Sequence, residues 1–299
     1  MKKSVCGILF LLLCITGSAM AAKAPVTVFV NILPQEYVVN KIAGNTVKVI
    51  TMIPKGASPA TYEPKPSQMK ELAGAKAYFS IGVPFEKIWI DKVKASNKSV
   101  QFFSADKGIQ KLPMENHSCE ADGHGANATT HVNTGMMTDP HIWLSPKLMK
   151  KIAQNTYEGL VRISPQEKEV YRKNLNSFLK EIDALDGKIR QTVAKMPKDS
   201  AFMVFHPAWG YFAHDYGLEQ IAIEVDGKEP KPAQLKEVIQ TAKKHHVTVI
   251  FIQPQFSQKT AQLVAKAIDG KVLSADPLAK DWANNLLAQT IQFQKAIQK

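Results

Sequence analysis

Short runs of β-forming residues alternate with helical patterns in two successive series along this chain, and that order leaves few folds open to it. In the first half Val26–Leu33, Val47–Ile53, Tyr78–Ile81 and Val100–Phe103 read as strands, with helical patterns such as Pro66–Ala73 and Glu86–Lys94 between them. The second half repeats the arrangement with Phe202–Phe205, Gln220–Ile223, Val247–Ile252 and Val272–Leu273, spaced by stretches that include Ala233–Lys244 and Lys259–Ile268. Strand–helix–strand order calls for parallel sheets with right-handed crossovers. The expected fold class is therefore α/β, in two lobes of similar build.

Between the series, Ser164–Lys195 reads as one long helix. Ser164 is placed as N-cap, Pro165 at the first helical position and Glu167 at the third, the pattern of a capping box. Tyr171, Leu175, Phe178, Ile182, Leu185 and Ile189 then recur at three- and four-residue spacing as a single buried stripe, until Pro197 ends the run. At 1.5 Å per residue such a helix spans roughly 45 Å, enough to lie along both lobes as a stiff backbone. The expected partition is a leader at 1–22, an N-terminal lobe at 23–163, the linking helix at 164–196 and a C-terminal lobe at 197–299.

The leader reading rests on Lys2 and Lys3, the apolar run Val5–Ile15, and the small residues of Ser18-Ala19-Met20-Ala21. The apolar run is shorter than the roughly 20 residues a bilayer span requires. Lipid attachment at Cys14 is disfavoured by the bulk of Leu13 before it. The expectation is an exported, periplasmic chain that begins near Ala22 or Lys23. Cleavage would remove Cys6 and Cys14 and leave Cys119 alone, so no disulfide framework is expected despite an oxidising destination. The formal charge of the full chain is +12, but its lysines are scattered along helical stretches rather than gathered with aromatics. That pattern reads as a solvated basic surface, not a nucleic-acid site. No Gly-x-x-x-x-Gly-Lys-Ser/Thr loop is present, so no nucleotide-driven engine is indicated.

Metal-ligating residue types are concentrated in one region. The chain has eight histidines, and His117, His124, His131 and His141 fall close together with Cys119, Glu120 and Asp122, just before and within Asp139-Pro140-His141-Ile142-Trp143-Leu144-Ser145-Pro146. Imidazole, thiolate and carboxylate suit borderline cations such as Zn²⁺. In open α/β sheets ligands bind outside the carboxyl ends of strands. Four loops meet that condition or flank the junction of the lobes: Pro54–Pro66, Asp139–Pro146, His206-Pro207-Ala208-Trp209-Gly210 and Asp276-Pro277-Leu278. Taken singly, His141 and His206 would more often be hydrogen-bonded structural histidines, and Asp276 before proline a turn residue.

The same loops carry a family resemblance. SPATYEPKPSQM, TDPHIWLSP, FHPAWGYFAHDYGL, DGKEPKPAQL, FIQPQFSQKTA and SADPL, in that order over essentially the whole mature chain, resemble the extracytoplasmic metal-binding proteins of ABC transporters known as the zinc-uptake or TroA-like family. The resemblance implies two lobes of four parallel strands each, the linking helix, and one metal site between the lobes. It implies ligand roles for His141, His206 and Asp276. The family's first ligand, usually a histidine, falls on Ala60, which cannot coordinate metal. Three repairs stand open: a water in the vacant position, a donor from His117, Cys119, His124 or His131 in the stretch 115–137, or a site that no longer holds a transition metal tightly. That stretch resembles the family's histidine-rich loops but is poorer in histidine.

Glu63 and Glu229, in Tyr-Glu-Pro and Lys-Glu-Pro turns, are candidates to orient a ligating imidazole, or else surface or permease contacts. Trp143 and Trp209, near the ligand positions, are read as walls of the site or as core. His214 is expected on the surface, and His245-His246 at a helix end. The functional expectation is a binding protein, not an enzyme, that captures Zn²⁺, with Mn²⁺ as alternative, and hands it as a monomer to an ABC permease and its ATPase subunit. The competing classes are an adhesin or host-factor-binding surface protein on the same fold, and a metal-dependent hydrolase.

Overall fold

The structure, a computed structural model, describes residues 25–114, 138–225 and 227–298. The expected leader and the stretch bearing His117, Cys119, His124 and His131 lie outside the described residues. In chain order the N-terminal half gives β1 (Val26–Val30), α1 (Leu33–Ala43), β2 (Val47–Thr51), α2 (Pro66–Ala73), β3 (Ala77–Ser80), α3 (Pro84–Ser96), β4 (Gln101–Ser104) and α4 (Pro146–Ile163). After α5 (Lys168–Val193) follow β5 (Ala201–Val204), α6 (Gly210–Tyr216), β6 (Glu219–Ala222), α7 (Pro232–Lys244), β7 (Val249–Ile252), α8 (Gln258–Ala267), β8 (Lys271–Ser274) and α9 (Trp282–Ile297).

Each half builds a four-stranded sheet, ordered β2-β1-β3-β4 and β6-β5-β7-β8, and every pairing is parallel. The second half thus repeats the topology of the first. Both sheets reverse their winding beside the strand that opens each series, which creates the crevice where α/β folds bind ligands. Residue alternation assigns the faces of β5: Phe202 and Val204 join the core shared by both lobes, while Met203 and Phe205 face a second core under α7 and α8.

The buried stripe on α5 is the one expected, from Tyr171 to Ile189. The expected start of this helix is not. Ser164 closes α4, its N–H donating to Leu160 O, and its side chain makes no capping bond. A 3₁₀ turn over Pro165–Glu167 follows, so the 26-residue α5 begins only at Lys168 and spans about 39 Å. Proline fixes the backbone after a residue already committed to ending another helix, so the capping box cannot form. The preceding α4, unread in the sequence, folds back along α5, with Lys150 Nζ 2.7 Å from Asp183 Oδ1. α5 also packs on α1 of the first lobe and α9 of the second, so one helix braces both.

Candidate metal centre

His206 sits two residues beyond β5, and sheet register decides its neighbours. Val204 pairs with Ala222 on one side and Phe251 on the other, so two steps further on His206 stands between Glu224 and Gln253. Its Nδ1 is 2.5 Å from Glu224 Oε2. The buried Gln253 clamps its backbone, with Nε2 donating to His206 O at 2.7 Å and Oε1 accepting from His206 N at 3.1 Å. Phe256 stacks on the ring at 5.2 Å between centroids.

His141 belongs to a turn that leads into α4. Asp139 Oδ1 accepts the His141 backbone N–H at 2.9 Å and lies 2.7 Å from His141 Nδ1. Asp139 is itself held, its N–H donating to Leu112 O and its carbonyl accepting the Tyr211 hydroxyl at 2.9 Å. A Cβ on Gly210 would meet Asp139 Oδ2 at 2.9 Å, so bare backbone there lets α6 approach the carboxylate. Burial pushes the His141 imidazole below its ordinary pKa, outweighing the pull of Asp139 in the other direction.

The two imidazoles come from different lobes and face each other with centroids 5.2 Å apart. Each has a carboxylate at Nδ1. A proton held there leaves the Nε2 lone pair free, which is the second-layer arrangement that orients metal-binding histidines. The pair opens on an inter-lobe cleft of about 690 Å³, also lined by Ala60, Lys87, Trp143 and Phe256.

Asp276, just beyond β8, is part-exposed; its Oδ1 accepts the Leu278 N–H at 2.9 Å and its carbonyl accepts from Asn285. It lines a small hollow beside the cleft, with Gln255 and Leu278 common to both. Among the described residues, no three His, Cys, Asp or Glu side chains are grouped closely enough to hold one ion. The structure therefore brings His141 and His206 together and leaves Asp276 next door.

Glu63 is exposed and lies outside the cleft lining, and Glu229 accepts from Thr260 Oγ1 at 3.3 Å, so the carboxylates that orient the rings are Asp139 and Glu224 instead. Asp139 was visible two residues before His141; Glu224 required the strand register. Trp143 lines the cleft and its indole donates to Pro277 O at 2.7 Å. Trp209 is core, edge-on to Phe212 and Phe293. His214 is exposed on α6, and His245 ends α7, its N–H donating to Thr241 O, as expected.

The model of the family described as zinc-uptake complex component A, periplasmic, matches residues 28–296. The high-affinity zinc uptake system protein ZnuA of Bacillus subtilis (strain 168) is 29% identical over 259 residues, covering 85% of this chain and 79% of that protein. A crystal structure of ZnuA matches with a TM-score of 0.82 at 39% identity, covering 91% of this chain and 99% of the other. A crystal structure of a ZnuA deletion mutant with zinc bound matches with a TM-score of 0.82 at 38% identity, covering 91% and 98%.

Proposed function

The chain belongs to the zinc-uptake complex component A family, and on that premise we propose that it captures a divalent transition metal between its lobes and delivers it to an ABC permease. The observation that carries the reading is the facing pair His141 and His206, one from each lobe, each with a buried carboxylate at Nδ1. Two imidazole ligands favour Zn²⁺ over harder cations; a sphere richer in oxygen would favour Mn²⁺. Zinc is also what the crystallised ZnuA deletion mutant holds.

In this reading His141 and His206 are ligands and Asp276, beside the cleft, is the third. The fourth position falls to water or to His117, Cys119, His124 or His131, because Ala60 offers none. The metal is cargo, not a catalyst. The chain is an exported monomer, with its leader at 1–22, its lobes at 23–163 and 197–299 and between them the segment 164–196, whose helix α5 runs from Lys168 to Val193. A permease with its ATPase subunit receives the metal, since the chain carries no phosphate loop of its own.

The test is zinc accumulation in cells that lack this protein, grown with zinc withheld by a chelator. Uptake should be restored by the natural chain and not by a His141→Ala, His206→Ala variant exported to the same level. Restoration by the double variant would remove the reading.

A further inference from the structure

One turn grips His206 twice. Gln253 spends both ends of its amide on the His206 backbone, accepting its N–H and donating to its carbonyl. Three residues on, Phe256 lies face to face with the imidazole, with centroids 5.2 Å apart and planes 24° from parallel. The Phe256 N–H closes the turn by donating to Gln253 O at 3.1 Å, and its phenyl ring is backed by Phe205 at 5.2 Å and by the second core. His141 is held differently: its ring neighbours among the described residues, Trp143 and His206, both meet it edge-on.

The outer torsion of a histidine has a broad, roughly two-fold profile, so its rotamer alone does not set the plane of the ring. The contact of Nδ1 with Glu224 fixes one edge and still lets the ring tilt about it. Stacking on a phenyl ring that is itself held removes that tilt. The plane matters because the Nε2 lone pair lies in it, so the tilt decides where an ion can sit. Zn²⁺ takes four ligands in a tetrahedral array, whereas Mn²⁺ prefers an octahedral, oxygen-rich sphere. A ring free to tilt follows either geometry; a ring held at one tilt fits one of them, and a pair of imidazoles makes that the geometry of Zn²⁺.

We propose that Phe256 is a specificity-determining residue of this site: stacked on His206, it holds the imidazole at one tilt and so biases the pair toward Zn²⁺ over Mn²⁺. This rests on the metal-capture reading and names the side chain that sharpens the choice of ion. Phe256 touches no ion itself and acts through the ring of His206.

Competitive titrations of the metal-stripped mature chain with Zn²⁺ and with Mn²⁺ test the assignment, run beside Phe256→Tyr, Phe256→Leu and Phe256→Ala, each checked for an intact fold by circular dichroism. Tyrosine keeps the stacked ring, leucine keeps apolar bulk without a ring face, and alanine keeps neither. The expected result is a Zn²⁺-to-Mn²⁺ affinity ratio that Phe256→Tyr retains and that falls about tenfold in the other two, within the range for partners that orient a metal-binding histidine. If alanine unfolds the chain, leucine against tyrosine gives the same comparison. A ratio unchanged in Phe256→Leu and Phe256→Ala, or both ions weakened alike, would reduce Phe256 to packing and overturn the proposal while leaving metal capture standing. An equal fall in all three variants would overturn it too, since the stacked ring would then not be the cause. A natural chain that holds neither ion would count against metal capture itself.

Discussion

Glu224 Oε2 stands 2.5 Å from His206 Nδ1 because β5 and β6 are parallel and in register, which carries residue 206 to a position opposite residue 224. The carboxylate is buried and serves the ring alone among the described hydrogen bonds, so its role is to set which imidazole nitrogen carries the proton. Removing such an oriented partner of a metal-binding histidine typically weakens metal affinity by about 10–100-fold. Glu224→Ala should show that loss in a competitive zinc titration, with the fold unchanged by circular dichroism. An affinity equal to that of the natural chain would mean that the ring is oriented by Phe256 and Gln253 without it.

Tyr211 ties three segments at one atom. Its hydroxyl accepts the Leu112 N–H at 2.9 Å and donates to Asp139 O at 2.9 Å, so α6 of the second lobe pins the chain on either side of 115–137. Tyr211→Phe leaves a part-buried N–H and a buried carbonyl without this partner, which should cost about 1–3 kcal/mol in a denaturant melt. A loss within error would show that water replaces the hydroxyl.

Two buried groups give opposite pH trends. Glu86 is enclosed beneath the cleft-lining residues Gly82–Pro84, where its carboxylate accepts the Ile81 and Gly82 N–H groups and an Asn31 amide. Burial pushes its pKa up to about 7 from 4.5. The folded chain then binds this proton more tightly than the unfolded chain, so its contribution is fully present below 4.5 and is lost as pH rises to about 7. Glu86→Gln should flatten that fall. His141, held below its ordinary value, works the other way: its contribution is intact above roughly 6.5 and is lost as pH drops below that. Because a neutral ring is what binds metal, His141 should stay competent below the pH at which an exposed histidine would be protonated. Stability curves of the natural chain, Glu86→Gln and His141→Ala from pH 4 to pH 8 separate the two trends.

The lobes are joined by more than α5. One apolar core runs through both, the Trp143 indole donates to Pro277 O, and the Trp282 indole donates to Trp143 O at 2.7 Å. Packed interfaces of this kind favour loop adjustments over wide hinge closure. Solution scattering with and without Zn²⁺ should give the same radius of gyration; a marked contraction on metal addition would contradict this.

Much of this architecture was legible from residue order. The strand runs and the apolar stripe from Tyr171 to Ile189 follow from local pattern, and the pairing of His141 with His206 was implied by the family resemblance of TDPHIWLSP and FHPAWGYFAHDYGL. What escaped depends on contacts remote in sequence. Ser164 looks like the start of a helix but is spent on the end of the one before it. Glu63 and Glu229 lie in conspicuous turns yet miss the rings, whereas Glu224 sits in an ordinary Ile-Glu-Val and is brought to His206 only by register. The position of Asp276 beside the cleft, with its Oδ1 accepting the Leu278 N–H, is likewise a matter of tertiary geometry.

Calorimetric titration of the metal-stripped mature chain with Zn²⁺, beside His141→Ala and His206→Ala, bears most directly on the proposal that this pair holds the cargo. One zinc per chain is expected, with loss of the binding heat in each variant. Zinc bound with unchanged affinity by either variant would contradict it.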